Sequence, residues 1–124
     1  MILDAGFLIS VDCDEEPARV LTTALHRRRL ALHTADPVVA QVWRNGQRQT
    51  RLAALLKTVE VHPLEDGKAV GLLRARAGTS DVVDAHLVVL AVRLNDAVLT
   101  VDEADLTALA DAVPSNRPLI QAWP

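Results

Sequence analysis

Residues 80–105 read SDVVDAHLVVLAVRLNDAVLTVDEAD and contain the pattern that decides the fold. Residues 82–94 are apolar nearly all the way round a helix, which predicts the most buried helix of the protein. Ser80 or Asp81 is placed to cap its first turn. A short apolar strand is predicted at residues 97–100, soon after this helix ends. A buried helix that leads into a buried strand is typical of α/β proteins, whose sheets are covered on both faces.

Strands and helices alternate along the rest of the chain. The other strands are predicted at residues 2–4, 30–33, 59–62 and 119–122, and the other helices at residues 17–29, 37–45, 52–56, 65–77 and 103–111. This alternation predicts a three-layer α/β/α sandwich with a central parallel sheet of four or five strands. No repeat, low-complexity segment or linker interrupts the order, and we predict one domain over residues 1–124.

Composition limits the classes of function. The 124 residues are 50% hydrophobic, enough to bury one core, and the net charge of −3 provides no overall positive field for nucleic acid. The single cysteine, Cys13, has no partner for an intrachain disulfide. The first residues carry no basic region of a signal peptide, and no apolar stretch approaches the ~18 residues that span a bilayer. We therefore expect a soluble, cytoplasmic protein with no membrane partner.

Three carboxylates occupy positions where a ligand site is expected. Asp4 and Asp102 each stand at the carboxyl end of a predicted strand, and Asp84 lies in the first turns of the buried helix, on the same face as Asp81. In a parallel sheet, ligands bind beyond the carboxyl ends of the strands, where the strand order reverses. Carboxylates gathered there lose hydration and repel one another, and a hard cation such as Mg²⁺ or Mn²⁺ compensates for both. Asp4, Asp84 and Asp102 are therefore candidate metal ligands.

The order and spacing of these acids resemble a known family. Asp4 follows a two-residue strand start, Asp84 opens an apolar helix, and the acidic segment 100–105 follows a later strand. Together they resemble a PIN domain, as found in the VapC-type toxins of toxin–antitoxin pairs. The resemblance implies a metal-dependent endoribonuclease that hydrolyses RNA phosphodiester bonds with a carboxylate-held Mg²⁺ or Mn²⁺. It also implies three partners, namely the RNA substrate, a cognate antitoxin and a second copy of the chain in a homodimer.

The same resemblance assigns roles to individual residues. It implies that Asp4, Asp84 and Asp102 are metal ligands and catalytic, that Asp105 is a secondary acid, and that Thr100 is a hydroxyl of the pocket. Asp81 is expected at the edge of the same pocket, because it shares a helix face with Asp84.

Gln41 departs from the family pattern. The family usually has a glutamate in the helix after the second strand, and Gln41 stands at that position. A glutamine offers a carbonyl oxygen without a charge, so metal affinity should be lower. Asp36 is a possible substitute but is better placed as a helix N-cap. The alternative function is therefore a catalytically weakened PIN-like binding or regulatory module.

The remaining candidates have weaker patterns. Arg44, Arg48 and Arg51 form part of the only basic concentration, which is either a solvated helix face or a contact for RNA or an acidic partner. Trp43 beside them is either an interface anchor or, slightly favoured, an ordinary core residue. The four histidines have no spacing typical of a metal site and are expected to be surface or hydrogen-bonded side chains; they are His26, His33, His62 and His86.

Two other enzyme classes also gather acids and Mg²⁺ at strand ends. A phospho-receiver domain needs a lysine after a late strand, and none follows residues 97–100. A phosphatase of the Asp-x-Asp type needs a second aspartate at position 6, which is Gly6. Neither class fits the sequence.

Overall fold

The computed structural model describes residues 1–124 and contains five strands and seven helices. The strands are β1 (Ile2–Leu3), β2 (Leu32–Ala35), β3 (Val59–His62), β4 (Val98–Thr100) and β5 (Ile120–Ala122). The helices are α1 (Ala5–Asp12), α2 (Glu16–Arg27), α3 (Asp36–Val42), α4 (Thr50–Leu56), α5 (Gly67–Ala77), α6 (Val82–Leu94) and α7 (Glu103–Asp111). No helix combines the length and the apolar character that a membrane span requires.

The strands form one parallel sheet in the order β3-β2-β1-β4-β5. The chain first moves outward from β1 to β3, then returns past β1 to form β4 and β5. Because parallel crossovers are right-handed, this reversal puts α1 to α4 on one face and α5 to α7 on the other. Contacts within each group of helices agree with that division. The predicted α/β/α sandwich is confirmed, with five strands, and its strand order reverses between β1 and β4.

The core lies against the two central strands. Ile2 and Leu3 of β1 are fully buried, as are Val98 and Leu99 of β4 to within 1%. All 27 buried apolar side chains belong to one cluster around this pair of strands. The carboxyl ends of β1 and β4 are thus held rigidly beside each other.

Helix α1 was not expected from the sequence. It contains Gly6 and the β-branched Ile9 and Val11, which all have lower helix propensity than alanine or leucine. Two tertiary features outweigh that preference. The Asp4 side chain caps the helix by accepting a hydrogen bond from the Phe7 backbone N–H at 3.1 Å, and Phe7 is completely buried.

Two local expectations from the sequence are wrong. Strand β2 begins at Leu32, two residues later than predicted, because pairing of His33 with Ile2 sets its position in the sheet. Asp36 is the first residue of α3, and its side chain makes no capping hydrogen bond.

Trp43 is not an ordinary core residue. Its side chain is 39% exposed at the end of α3, where the indole ring lies against Gly46. The ring also lines a surface depression with Leu64, which is exposed as well. The slightly favoured expectation of a core position was therefore wrong, and a large apolar ring is left at the surface.

We expect Trp43→Ala to cost much less stability than Phe7→Ala. Phe7 is fully buried and packs edge-to-face on Trp123, so its truncation should cost about 3–5 kcal/mol. Trp43 is 39% exposed, so its truncation removes a smaller buried fraction than truncation of Phe7 does. Urea unfolding of both variants checks this difference. Equal losses of unfolding free energy would mean that Trp43 is part of the core.

Candidate active site

A cavity of about 250 Å³ opens at the carboxyl ends of β1 and β4, where the strand order reverses. Its polar lining consists of Asp4, Gln41, Asp81, Asp84 and Asp102, all of which the sequence had singled out. Its apolar lining consists of Ala5, Gly6, Val38, Val83, Leu87 and Val101. No lysine or arginine lines it, so the protein supplies no counter-charge to its carboxylates.

Asp4 is the most buried of these acids, at 6% exposure. One carboxylate oxygen caps α1, and the other accepts a hydrogen bond from the Thr100 hydroxyl. The Thr100 oxygen in turn accepts a hydrogen bond from the Asp102 backbone N–H at 2.8 Å. The carboxylate of Asp4 is therefore fixed in orientation, and Thr100 links it to the segment that carries Asp102.

Asp84 lies at the start of α6, because that helix begins immediately after its cap, Asp81. The Asp81 carboxylate accepts a hydrogen bond from the Asp84 backbone N–H at 3.0 Å. Burial and the neighbouring Asp81, with smaller contributions from Asp102 and Asp4, raise the pKa of Asp84 to about 7. The free energy of ionising Asp84 is therefore increased by the other acids of the cavity.

Asp102 and Asp105 extend the acidic group at the start of α7. Carboxylate oxygens of Asp84, Asp102 and Asp105 lie within 4.8 Å of one another. Loss of hydration, and then the charge of Asp105, raises the pKa of Asp102. The three oxygens are close enough to contact one cation, and all the charged donors here are the oxygens that Mg²⁺ and Mn²⁺ prefer.

Gln41 reaches the cavity from α3, on the side opposite α6. Its amide can contribute a carbonyl oxygen at this position but no negative charge. The cavity therefore has four carboxylates in its lining, with Asp105 beside them, and one neutral side chain at the position where the resemblance expects a glutamate.

The three predicted arginines lie outside this cavity. Arg44 and Arg48 are exposed in the segment that joins α3 to α4. Arg51, on α4, pairs with Asp14 at 3.4 Å in a separate groove between α2 and α4. Arg44 and Arg48 therefore lie in the loop that follows the helix of Gln41, whereas Arg51 is engaged in a surface ion pair with Asp14.

The sequence reasoning missed a second group of possible ligands. His33, Glu60 and His62 lie together on β2 and β3, with all their ligand atoms within 4.8 Å of one another. His33 and His62 are hydrogen-bonded to each other, as expected of these side chains, but their closeness to Glu60 was not foreseen. The only feature of the sequence that could have indicated this group is that residues 60 and 62 of one strand point to the same face.

Comparison with known proteins identifies the fold. No protein-family model matches the chain, and no curated protein matches it. The structure is similar to a chain in the crystal structure of VapBC2 from Rickettsia felis bound to a DNA fragment from their promoter, with a TM-score of 0.70. The match covers 99% of this chain and 98% of that chain, at 13% sequence identity. The class of protein is thus an α/β/α sandwich with the fold of that chain.

We expect the acidic cavity to make the metal-free protein less stable as pH rises. The folded-state pKa of Asp84, about 7, is above its ordinary value of about 4. Protonated Asp84 therefore favours folding at low pH, and that contribution is lost as pH rises through about 7. In EDTA, the melting temperature of Asp84→Asn should therefore rise relative to that of the wild type as the pH is raised from about 4 to about 7.

The exposed Asp66 provides a matched control, since Asp66→Asn changes the same charge away from the cavity. The difference in melting temperature between Asp66→Asn and the wild type should stay constant over the same pH range. If the difference in melting temperature between Asp84→Asn and the wild type also stayed constant, the pKa of Asp84 would not be raised in the folded protein.

Proposed function

We propose that the protein is a PIN-type, metal-dependent endoribonuclease and the toxin of a toxin–antitoxin pair. The observation that carries the proposal is the convergence of Asp4, Asp84 and Asp102 in a cavity with no basic residue. These acids also match the pattern of the family in order and spacing. The similarity of fold to a chain of a VapBC2 structure supports the same class.

The side chains of the cavity fit a hard divalent cation. All the charged donors are carboxylate oxygens, and burial together with the neighbouring carboxylates raises the pKa of Asp84, two effects that a bound cation would offset. Asp4, Asp84 and Asp102 would hold Mg²⁺ or Mn²⁺. The bound cation would supply Lewis-acid polarisation of a phosphate and a lowered pKa for water.

The residues around the ligands hold them in place. Thr100 orients the Asp4 carboxylate through its hydroxyl, and the Asp81 cap sets where α6 begins and hence where Asp84 lies. Asp105 adds negative charge next to Asp102, and carboxylate oxygens of the two lie within 4.8 Å of each other. Arg44 and Arg48, which are exposed, would contact the phosphate backbone of RNA.

RNA cleavage should require Mg²⁺ or Mn²⁺ and each of the three acids. Asp4→Asn, Asp84→Asn and Asp102→Asn should each reduce the cleavage rate at least ~100-fold, because each removes a ligand of the cation that would stabilise the charge on the reacting phosphate. Asp66→Asn, at an exposed position outside the cavity, should cleave as the wild type does. Gel assays on a structured RNA with Mn²⁺, and with EDTA, measure these rates. Undiminished cleavage in EDTA would overturn the mechanism.

A binding or regulatory module is the second candidate, and Gln41 is the observation that favours it. This side chain lines the cavity but adds no charge to the metal ligands. A wild type that binds Mn²⁺ and leaves every tested RNA intact would support this second function.

Gln41→Glu should tighten Mn²⁺ binding about tenfold, which corresponds to ~1.4 kcal/mol. The added carboxylate attracts the cation, although its dehydration and its repulsion from Asp84 offset part of the gain. Without metal, the same charge should lower the melting temperature. Calorimetric titration and thermal melts with and without Mn²⁺ measure both effects.

Gln47→Glu is the control for this substitution, because Gln47 is exposed on the loop after α3. It should alter neither the affinity nor the melting temperatures. If Gln41→Glu behaves like Gln47→Glu, then Gln41 does not act on the metal site.

We also propose that the surface around Trp43 binds a cognate antitoxin or a second copy of the chain. Trp43 and Leu64 are 39% and 42% exposed and line one depression, and exposed aromatic rings commonly anchor interfaces. The similar R. felis structure is described as VapBC2 bound to promoter DNA. Light scattering on Trp43→Ala tests the homodimer, since a variant that remains dimeric would place that interface elsewhere.

A further inference from the structure

The second group of ligands lies at one edge of the sheet, away from the acidic cavity. β3 is an edge strand, and its register with β2 pairs His33 with Glu60 and Ala35 with His62. Side chains of a strand alternate between faces, so His33, Glu60 and His62 point to the same face. Arg93 of α6 contacts His62, which identifies this as the face covered by α5 to α7.

The ligand atoms of these three side chains surround a common point. Nδ1 of His33 lies 2.9 Å from Nε2 of His62. Glu60 places one carboxylate oxygen 3.5 Å from Nδ1 of His33 and the other 3.8 Å from Nε2 of His62. Two ligands of a tetrahedral Zn²⁺ with bonds of ~2.0–2.1 Å are separated by about 3.3 Å. The observed separations lie on both sides of that value.

Burial favours the two imidazoles as ligands. The side chains of His33 and His62 are only 13% and 10% exposed, whereas Glu60 is 68% exposed and free to adjust. Burial and then the charge of His62 lower the pKa of His33, which favours the neutral imidazole that binds metals. The site therefore combines two rigid nitrogens with one adaptable carboxylate.

Without a metal, His62 is hydrogen-bonded to both Arg93 and His33, and a metal ion must replace these bonds. The Arg93 guanidinium lies 3.3 Å from Nδ1 of His62 and has only donors, so this nitrogen accepts. The proton of His62 is then on Nε2 and is donated to Nδ1 of His33. A metal that binds Nε2 of His62 requires the neutral ring to carry its proton on Nδ1 instead, so the exposed Arg93, which has only donors, must turn away from Nδ1.

We propose that His33, Glu60 and His62 form a second metal site, selective for a borderline cation of the Zn²⁺, Co²⁺ or Ni²⁺ class. Two imidazoles and one carboxylate suit these ions, whereas Mg²⁺ prefers oxygen ligands. Three protein ligands leave a fourth position for water. The bound ion links the edge strand β3 to β2. This proposal is independent of the ribonuclease proposal, since the two sites share no residue.

The test is a calorimetric titration with Zn²⁺ in the presence of excess Mg²⁺, followed by imidazole nitrogen NMR. We expect one Zn²⁺ per chain at this site, with shifts of the ring nitrogens of His33 and His62. Glu60→Gln and His33→Ala should weaken binding at least ~10-fold. His26→Ala, which removes an exposed histidine bonded to Thr58, should bind as the wild type does.

Two further variants distinguish zinc binding at this site from zinc binding in the acidic cavity. Arg93→Ala should tighten Zn²⁺ binding, because it removes the donor to Nδ1 that holds the proton of His62 on Nε2, the nitrogen that the ion needs. Asp84→Asn should leave Zn²⁺ binding unchanged. Loss of binding in Asp84→Asn, with retention in Glu60→Gln, would assign the ion to the acidic cavity and overturn the proposal. Glu60 is exposed, so its variant tests the site even if His33→Ala fails to fold.

Discussion

The hydrogen bond between the Thr100 hydroxyl and the Asp4 carboxylate joins the ends of the two central strands. Backbone bonding brings these ends together, since the Asp4 N–H donates to the Leu99 carbonyl at 3.2 Å. On the other side of β1, the Thr34 hydroxyl donates to the Leu3 carbonyl at 2.8 Å. The end of β1 is thus held from both neighbouring strands. The position of α1, the floor of the cavity and the orientation of Asp4 all depend on this arrangement.

This rigidity has an electrostatic cost. Asp4 cannot turn into solvent without losing its bonds to α1 and β4, and Asp84 is held at the start of α6. The N-terminal dipole of a helix favours a carboxylate by only ~0.3–1 kcal/mol, less than the cost of crowding several partly dehydrated carboxylates. No basic side chain lines the cavity to offset that cost. A cation from solution would offset that cost in the way that the proposed metal site requires.

The two groups of ligands differ in chemistry as well as in place. The cavity at the strand ends contains carboxylates, whereas the edge group has two shielded imidazoles and one carboxylate. Hard cations prefer the first set and borderline cations the second. The different donors would allow both sites to be filled by different ions from the same solution. The ion proposed for the cavity and the ion proposed for the sheet edge would then share no ligand.

Elements with strong local signals were predicted from the sequence with their observed bounds. Helix α6 is one of these, because its apolar residues are continuous between the cap at Asp81 and the left-handed Asn95 that ends it. The acids at the strand ends were also predicted from the sequence, because Asp4 directly follows the apolar strand β1 and Asp102 comes two residues after the apolar strand β4. Helix α1 was not visible, because its stability comes from the burial of Phe7 and from the Asp4 cap rather than from propensity.

The sequence by itself thus determined the class of fold, most of the elements and the chemical type of the residues at the cavity. Only the tertiary structure decided which of them meet. Asp4 and Asp102 share a cavity because β4 returns to pair with β1, and a strand order is a property of the whole chain. His33 and Glu60 meet through the register of β2 with β3. Such pairings join residues that are far apart in sequence, so the local periodicity of the sequence does not predict them.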